Sequence, residues 1–274
     1  MDTLYVYSSF MTTNKESSAQ IDAMRQDWNE RARKDAFLYI ASWRKDWNED
    51  SFFSSGEEDY QRLVAPVLQR LALDPANKSM AEIGCGAGRM TRSFATHFRA
   101  VSAIDISEEM QARAKTLLSD ISNITWILSD GQSLSGLPTK SMDFVFSYLV
   151  LQHFPAPELV AETIREMLRA LKPGGAYLFQ FNGSHQPTMN YKGRVLSSLL
   201  DAVASAGLKR LSHFGAELAG VDPQMVGKTW RGVALRSPEI ASIVRAVGGP
   251  SPAFLVENTP LAWCYGRKQL EGTI

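Results

Sequence analysis

Apolar residues near the start of the chain recur at steps of three and four. The series begins at Ile21, passes through Met24 and Trp28, and ends at Trp47. This spacing places the apolar side chains on one face, so it predicts one long helix or a broken pair of helices. The residues before it, 1–18, are rich in Ser, Thr and Asn and predict a loosely ordered arm.

The next segment, residues 51–59, consists mainly of Ser, Gly and acidic residues and predicts a break in the helical pattern. A second helix is expected over residues 57–73, where Asp74 and Pro75 end it.

From residue 78 onward, short apolar segments alternate with helical stripes. Such alternation predicts a parallel sheet that is covered by helices on both faces. Strands with no polar alternation, such as the one through Phe144 and Val145, are typical of strands buried on both sides. Strands are predicted at residues 78–84, 100–106, 124–129, 142–148 and 176–181, and helices at 89–98, 107–118 and 157–171.

The alternation lapses between residues 182 and about 230, then resumes with a predicted helix at 237–247 and two strands near 254–258 and 261–266. The predicted fold class is therefore α/β. We expect a Rossmann-like, seven-stranded, mostly parallel sheet with helices on both faces. An N-terminal helical cover and an insertion after the fifth strand complete it.

Composition excludes several classes of protein without indicating a function. A chain of 274 residues, 45% hydrophobic and 21% charged, predicts one large globular domain that needs neither disulfides nor metal for its core. Lys and Arg number 29 and Asp and Glu number 29, so the net charge is zero. Neutrality argues against binding nucleic acid through bulk electrostatics.

The cysteines Cys85 and Cys264 are too few for a disulfide framework or a thiolate zinc site, so we expect no metal. The start of the chain lacks the pattern of a signal peptide, and no segment approaches the roughly 18 apolar residues of a membrane span. We therefore predict a cytoplasmic protein with no membrane partner. The oligomeric state stays open.

A glycine-rich loop joins the first predicted strand of the sheet to the helix that follows it. Gly84, Gly86 and Gly88 would let the backbone approach a ligand at the carboxyl edge of the sheet. Their order differs from the G-x-G-x-x-G of dinucleotide sites, because Arg89 stands at the sixth position. Asp105 ends the next strand, where an acid accepts hydrogen bonds from ribose hydroxyls. Together they predict a ribose-bearing ligand and disfavour a pyrophosphate.

Five ordered segments resemble the class I S-adenosylmethionine-dependent methyltransferases. They are residues 82–88, residues 103–107 with Met110, and residues 129–131, 143–147 and 171–175. The resemblance covers residues 57–182 well and the C-terminal helix and strands more loosely. Within the family, the chain looks like the small-molecule group that includes quinone-ring, amine and sugar methyltransferases.

This resemblance implies three functional parts. An arm and helical lid would occupy residues 1–56, and the cofactor-binding methyltransferase domain would occupy residues 57–274. Residues 182–235 would be an insertion that covers the substrate. The cofactor would be S-adenosylmethionine, with S-adenosylhomocysteine as product.

The resemblance also implies contacts for each part of the cofactor. The glycine loop would line the ribose and the methionine tail, Glu82 would face the tail's ammonium, and Asp105 would hold the ribose hydroxyls. Ile106 would pack on the adenine, and Asp130 would accept from its amino group. The residues implied at this site are Glu82, Gly84, Cys85, Gly86, Gly88, Asp105, Ile106, Met110, Asp130, Gly131, Gln132, Ser147 and Tyr148.

Alternative interpretations accompany several of these residues. Ile106 and Met110 would equally serve as core residues, and for Met110 the core interpretation is favoured. Asp130 precedes a glycine and would equally be a turn residue. Ser147 and Tyr148 end the fourth strand, which places them beneath the methionine and the methyl group if the resemblance holds.

Two residues are candidates for the chemistry. Methyl transfer is an in-line displacement, and a base is needed only when the nucleophile arrives protonated. His153 follows the fourth strand and would be that base, or else a histidine that bonds a loop. Tyr39 would reach the site from the N-terminal helix, where aromatic rings attract cations. The neighbouring tryptophans Trp28, Trp43 and Trp47 fit core packing slightly better.

The acceptor cannot be identified from the sequence, and its nucleophile (O, N or C) stays open. Arg194 or Arg231 in the insertion would pair with an anionic acceptor, or else be solvated. Other polar and aromatic residues of the insertion are His185, Tyr191, His213, Phe214 and Trp230. Methyl transfer to a small molecule is the leading hypothesis. The alternatives are a nicotinamide-dependent oxidoreductase and a non-catalytic protein that binds S-adenosylmethionine.

Overall fold

A computed structural model describes residues 14–131, 133–184, 199–200, 203, 208–218 and 232–270. Several predicted residues lie outside these ranges, namely Gln132, His185, Tyr191, Arg194, Trp230 and Arg231. His213 lies in a described helix, but its side chain lies outside the description.

Seven strands form one sheet in the order β3-β2-β1-β4-β5-β7-β6. β1 to β5 run parallel to one another, while β7 runs antiparallel to both β5 and β6. This confirms the predicted fold class. The strands are β1 (Ser79–Ile83), β2 (Ala100–Asp105), β3 (Ile124–Leu128), β4 (Met142–Ser147), β5 (Leu171–Phe181), β6 (Ala253–Leu255) and β7 (Ala262–Arg267).

The strand order reverses at β1, because the chain adds β2 and β3 on one side and then returns to add β4 on the other. In open α/β sheets a ligand crevice forms beyond the carboxyl ends of the strands at such a reversal. The fold therefore directs attention to the carboxyl ends of β1, β2 and β4.

Helices cover both faces of this sheet. Ile164 and Val244 belong to the core on one face, and Val67 and Phe94 to the core on the other. Within the described ranges, no helix has both the length and the apolar character needed to cross a bilayer. The helices are α1 (Asn14–Ile40), α2 (Glu49–Asp59), α3 (Ala65–Arg70), α4 (Thr91–His97), α5 (Glu108–Leu117), α6 (Pro157–Ala170), α7 (Lys209–Leu218) and α8 (Ser237–Ala246).

The break predicted at residues 51–59 is wrong, because this segment is helix α2. The Asn48 side chain accepts a hydrogen bond from the Ser51 amide at 2.8 Å, and the Ser51 hydroxyl accepts from the Asn48 amide at 3.2 Å. This reciprocal cap starts the helix. Gly56 lets α2 approach the loop after β1, since a Cβ there would lie 2.0 Å from the Arg89 carbonyl oxygen. The domain boundary predicted after residue 56 falls inside α2 and stays a prediction.

Helix α1 is broken at Asp35, whose backbone is extended (φ −166°, ψ 94°). The Asp35 carboxylate accepts from the Leu38 amide at 3.0 Å and so caps the second piece. The sequence left open one helix or a broken pair, and the structure has the broken pair.

The first piece of α1 lies across the carboxyl edge of the sheet. Ile21 and Met24 are buried in the same core as Ile83 at the end of β1. The Ser107 hydroxyl, which caps α5, donates to the Asn29 side-chain oxygen at 2.6 Å. These contacts hold α1 over the ends of β1 and β2.

Candidate functional site

A cavity of about 250 Å³ lies at the carboxyl ends of β1, β2 and β4, beneath α1. It is the position that the strand reversal predicts. The predicted site residues that line it are Tyr39, Gly84, Gly86, Asp105, Ile106, Met110, Gly131, Tyr148 and His153. Glu82, Cys85, Gly88, Asp130 and Ser147 belong to the surrounding backbone and side chains rather than to the lining.

The glycine loop leaves β1 with its backbone close to neighbouring side chains. Gly84 has φ +77°, and a Cβ there would lie 2.1 Å from a methyl carbon of Val150. The amides of Gly84 and Cys85 both donate to the Ile104 carbonyl, at 2.8 and 2.9 Å. Only glycine satisfies the positive φ and the close approach together. The loop is thus held against β2, with its open side toward the cavity.

Asp105 connects the glycine loop to the end of β2. One carboxylate oxygen accepts from the Gly86 amide at 2.7 Å and the other from the Ser107 amide at 2.8 Å. Burial raises the pKa of Asp105, and these backbone hydrogen bonds oppose the rise. A carboxylate has about four acceptor sites, so each oxygen keeps capacity for a ligand hydroxyl. A buried acid beside a glycine cradle fits the ribose diol of S-adenosylmethionine.

Glu82 lies in β1, just before the loop, and is not among the residues that line the cavity. One of its carboxylate oxygens accepts from the Thr91 hydroxyl at 2.6 Å. Burial raises the pKa of Glu82 to about 8, although the Thr91 hydrogen bond and the Arg89 charge lower it. Its predicted role toward the ammonium of the methionine tail stays a prediction.

The thiol of Cys85 is also buried, and burial raises its pKa well above the ordinary value. It therefore remains protonated, which does not suit a nucleophile. Cys85 contributes its backbone amide to the loop, as described above, rather than its thiol.

Asp130 closes a turn after β3. Its carboxylate accepts from the Ser133 amide at 2.7 Å and from the Ser133 hydroxyl at 3.0 Å. Its carbonyl accepts from the Arg25 guanidinium of α1 at 3.0 Å. The structure thus shows the turn that was the alternative interpretation of Asp130. Gly131 of the same turn lines the cavity beside Ile106. The contact of Asp130 with adenine stays a prediction.

His153 is buried, with 6% of its surface exposed, in a short 3₁₀ turn after β4. Its ring meets Trp28 of α1 edge-on, with 5.2 Å between the ring centroids. Tyr39, from the second piece of α1, is buried and lines the same cavity. The two catalytic candidates thus share one cavity with Asp105, and Trp28 joins them there.

Tyr148 lies at the end of β4, between the cavity and the opposite core. Its ring centroid is 5.0 Å from that of Trp263 and 5.8 Å from the Arg89 guanidinium carbon. Burial raises the pKa of Tyr148, so its hydroxyl stays protonated. Ser147, one residue earlier, is fully buried and donates to the Ile83 carbonyl at 3.1 Å. Ser147 therefore joins β4 to β1 beneath the cavity.

Sequence reasoning missed three polar residues of this region. Glu166 of α6 and Gln152 line the cavity, and Gln180 of β5 is fully buried behind it. A glutamine between two phenylalanines on a predicted buried strand is a signal for Gln180. Among the described residues, no cluster of three or more His, Cys, Asp or Glu is arranged to hold a metal ion.

A family model described as "Methyltransferase domain" matches residues 81–179. Nodulation protein S of Rhizobium tropici is 24% identical over 172 residues, which is 63% of this chain and 68% of that protein. A ubiquinone biosynthesis O-methyltransferase of Xanthomonas oryzae is 33% identical over 105 residues, which is 38% of this chain and 42% of that protein. The match thus spans about two fifths of the Xanthomonas relative.

A solved structure shares the fold. A methyltransferase from Aquifex aeolicus, described as dependent on S-adenosylmethionine, superposes with a TM-score of 0.50 at 15% identity and covers 81% of this chain and 99% of that one. The residues matched by the family model, 81–179, run from within β1 to within β5 and include the glycine loop. The methyltransferase model over residues 81–179 supports the family and the cofactor that the sequence predicts.

Proposed function

We propose that the chain is a class I S-adenosylmethionine-dependent methyltransferase that transfers a methyl group to a small-molecule acceptor, because a methyltransferase-domain model matches residues 81–179. The observation that carries this proposal is one cavity shared by two sets of residues. Asp105 and the glycine loop form the cofactor side, and His153 and Tyr39 form the side where an acceptor would react. The predicted cytoplasmic location is retained with this proposal.

Each group in the cavity has a separate task in the proposed reaction. Asp105 and the glycine loop would hold the ribose and the methionine tail of S-adenosylmethionine, which supplies an electrophilic methyl group on a sulfonium. Helix α1 would exclude water, because it covers the carboxyl edge of the sheet. His153 would take the proton of an acceptor that arrives as a hydroxyl or an ammonium.

The chemistry of the acceptor side favours a planar or cationic molecule. Trp28, Tyr39, Trp43 and Tyr148 all line the cavity. Aromatic rings stack with planar molecules and attract cations through their faces. A quinol ring satisfies the first condition, and the Xanthomonas relative is named for ubiquinone biosynthesis. We therefore propose an aromatic hydroxyl compound as the first acceptor to test, with amines second.

Titration calorimetry tests the cofactor, and formation of S-adenosylhomocysteine tests the reaction. We expect S-adenosylmethionine to bind at micromolar concentration and S-adenosylhomocysteine to form with at least one member of a panel of hydroquinones, catechols and amines. Absence of binding at millimolar concentration, or binding of NAD in its place, would refute the proposal. Tight binding with no turnover on the whole panel would indicate a non-catalytic binding protein.

Substitution of His153 tests the base. We expect His153→Ala to lower kcat about a hundredfold with a hydroxyl acceptor, because general base catalysis contributes at least about 10². The Kd for S-adenosylmethionine should change little, since Asp105 and the glycine loop hold it. His97→Ala is the control, because His97 bonds Glu57 on α2 and lies outside the cavity lining. Full activity of the His153 variant would remove it from the chemistry.

A further inference from the structure

A chain of side-chain amides extends from β5 to the catalytic candidate His153. It begins at Gln180, whose side-chain oxygen accepts from the Leu149 amide at 3.1 Å. The Gln180 side-chain nitrogen donates to the Pro260 carbonyl at 2.8 Å. A backbone N–H can only donate and a carbonyl can only accept, so two independent contacts fix which end of the Gln180 amide is oxygen.

The orientation of Gln180 determines that of Gln152. The Gln180 nitrogen also donates to the Gln152 side chain at 3.1 Å, so the Gln152 atom that meets it is the oxygen. The nitrogen of Gln152 therefore faces Nε2 of His153, at 3.2 Å. An amide nitrogen only donates, and so Nε2 must accept. A neutral imidazole whose Nε2 accepts carries its proton on Nδ1.

We propose that Gln152 and Gln180 are positioning residues that hold His153 in the Nδ1-protonated tautomer and so keep the Nε2 lone pair available to the acceptor. The assignment of the tautomer does not depend on the proposed function, and only its role in catalysis does. In the proposed reaction, the acceptor's O–H or N–H bond breaks, its proton binds Nε2, and its electron pair stays on the atom that takes the methyl group. Gln152 and His153 both line the cavity, so an incoming acceptor can replace the Gln152 N–H at Nε2.

Other charged or titratable groups line the cavity with His153 or lie beside Trp28, and they are present in every variant considered below. Tyr39 of α1, Glu166 of α6 and Asp105 of β2 line the same cavity. Arg31 of α1 lies over the Trp28 ring, with its guanidinium carbon 4.8 Å from the ring centroid. A test of the amide chain must therefore change the polarity of one bond and leave these groups in place.

The substitution Gln152→Glu inverts the bond to His153 while keeping its shape. A carboxylate still accepts from Gln180, but it offers His153 an acceptor instead of a donor. Two-bond ¹⁵N–¹H correlation spectra of the protein alone report the result, because only Nε2 correlates with both carbon-bound ring protons. We expect an unprotonated Nε2 in the wild type and a protonated Nε2 in Gln152→Glu. The resonances of His153 are assigned from those lost in His153→Ala.

The exposed Gln69 provides the matched control, since Gln69→Glu adds the same charge away from the cavity. It should leave the His153 signals unchanged. Gln152→Leu, which removes the donor without adding charge, should give a mixture of the two tautomers and keeps the proposal testable if Gln152→Glu folds poorly. A protonated Nε2 in the wild type, or an unchanged spectrum in both Gln152 variants, would overturn the proposal.

Activity then tests the consequence separately. With a hydroxyl acceptor, Gln152→Glu should lower kcat about tenfold or more on the pH-independent plateau of the kcat–pH profile, because the neutral imidazole then carries its proton on Nε2. The KM for S-adenosylmethionine should stay constant. The spectra need neither cofactor nor acceptor, so the absence of methyl transfer would refute the proposed function and leave the tautomer result standing. An unchanged plateau rate with the expected spectra would refute the role of the tautomer in catalysis.

Discussion

Asp105→Ala is expected to weaken the binding of S-adenosylmethionine about 10³-fold while the protein stays folded. A hydrogen bond to a charged group contributes about 1.5–3 kcal/mol, and a ribose diol would form two with this carboxylate. The same substitution removes the acceptors of the Gly86 and Ser107 amides, which hold the glycine loop to β2. Titration calorimetry gives the change in Kd, and circular dichroism checks the fold.

Two further variants test whether the loss of affinity comes from the Asp105 carboxylate itself. Asp105→Asn should bind almost as weakly as the alanine variant, because both oxygens accept from backbone amides and an amide nitrogen in either place would meet another donor. Asp143→Ala is the matched control. Asp143 is the second residue of β4, at the amino end of the strand, where it accepts from Lys172 at 2.7 Å and from the Ser79 amide at 3.0 Å. It should lower stability without changing the Kd. Unchanged affinity in Asp105→Ala would remove that residue from the site.

The parallel sheet could be predicted because its evidence is local. Each buried strand is a short apolar run, and Ser107 is a cap whose hydroxyl accepts from the Met110 amide at 3.1 Å as the sequence pattern predicts. Helix α2 could not be predicted from the sequence, because Ser, Gly and acidic residues are common in turns. Its helical state depends on the Asn48 cap and on the packing of Gly56 against the Arg89 carbonyl, which is a contact between distant residues.

Some features of the candidate site could likewise be predicted from the sequence, and others could not. Gly84 and Asp105 follow two neighbouring strands, so their meeting at the cavity follows from the sheet alone. The direction of the Asp130 carboxylate could not be predicted, because Ser133 competes with any ligand for it. The role of Gln180 could not be predicted either, since its partner Pro260 is 80 residues away in the chain.

Arg89 occupies the position at which a dinucleotide fingerprint has its third glycine. Its guanidinium bonds the Asp59 carboxylate at 2.8 Å, and the two side chains are only 4% and 8% exposed. It also donates to the Ser55 carbonyl at 3.0 Å. The end of the glycine loop is thereby attached to α2 through a buried ion pair. Breaking one partner of such a pair leaves the other charge buried without compensation.

Asp59→Ala should therefore lower the free energy of unfolding by about 3–5 kcal/mol, or the Tm by about 10 °C, because Arg89 keeps its charge in a buried place. Thermal and urea unfolding measure it. Arg62→Ala is the control, since Arg62 pairs with the same carboxylate from a side chain that is 67% exposed, and an exposed pair contributes at most about 1 kcal/mol. The double variant Asp59→Leu with Arg89→Met should recover most of the loss. Equal effects of Asp59→Ala and Arg62→Ala would show that the buried charge does not determine stability here.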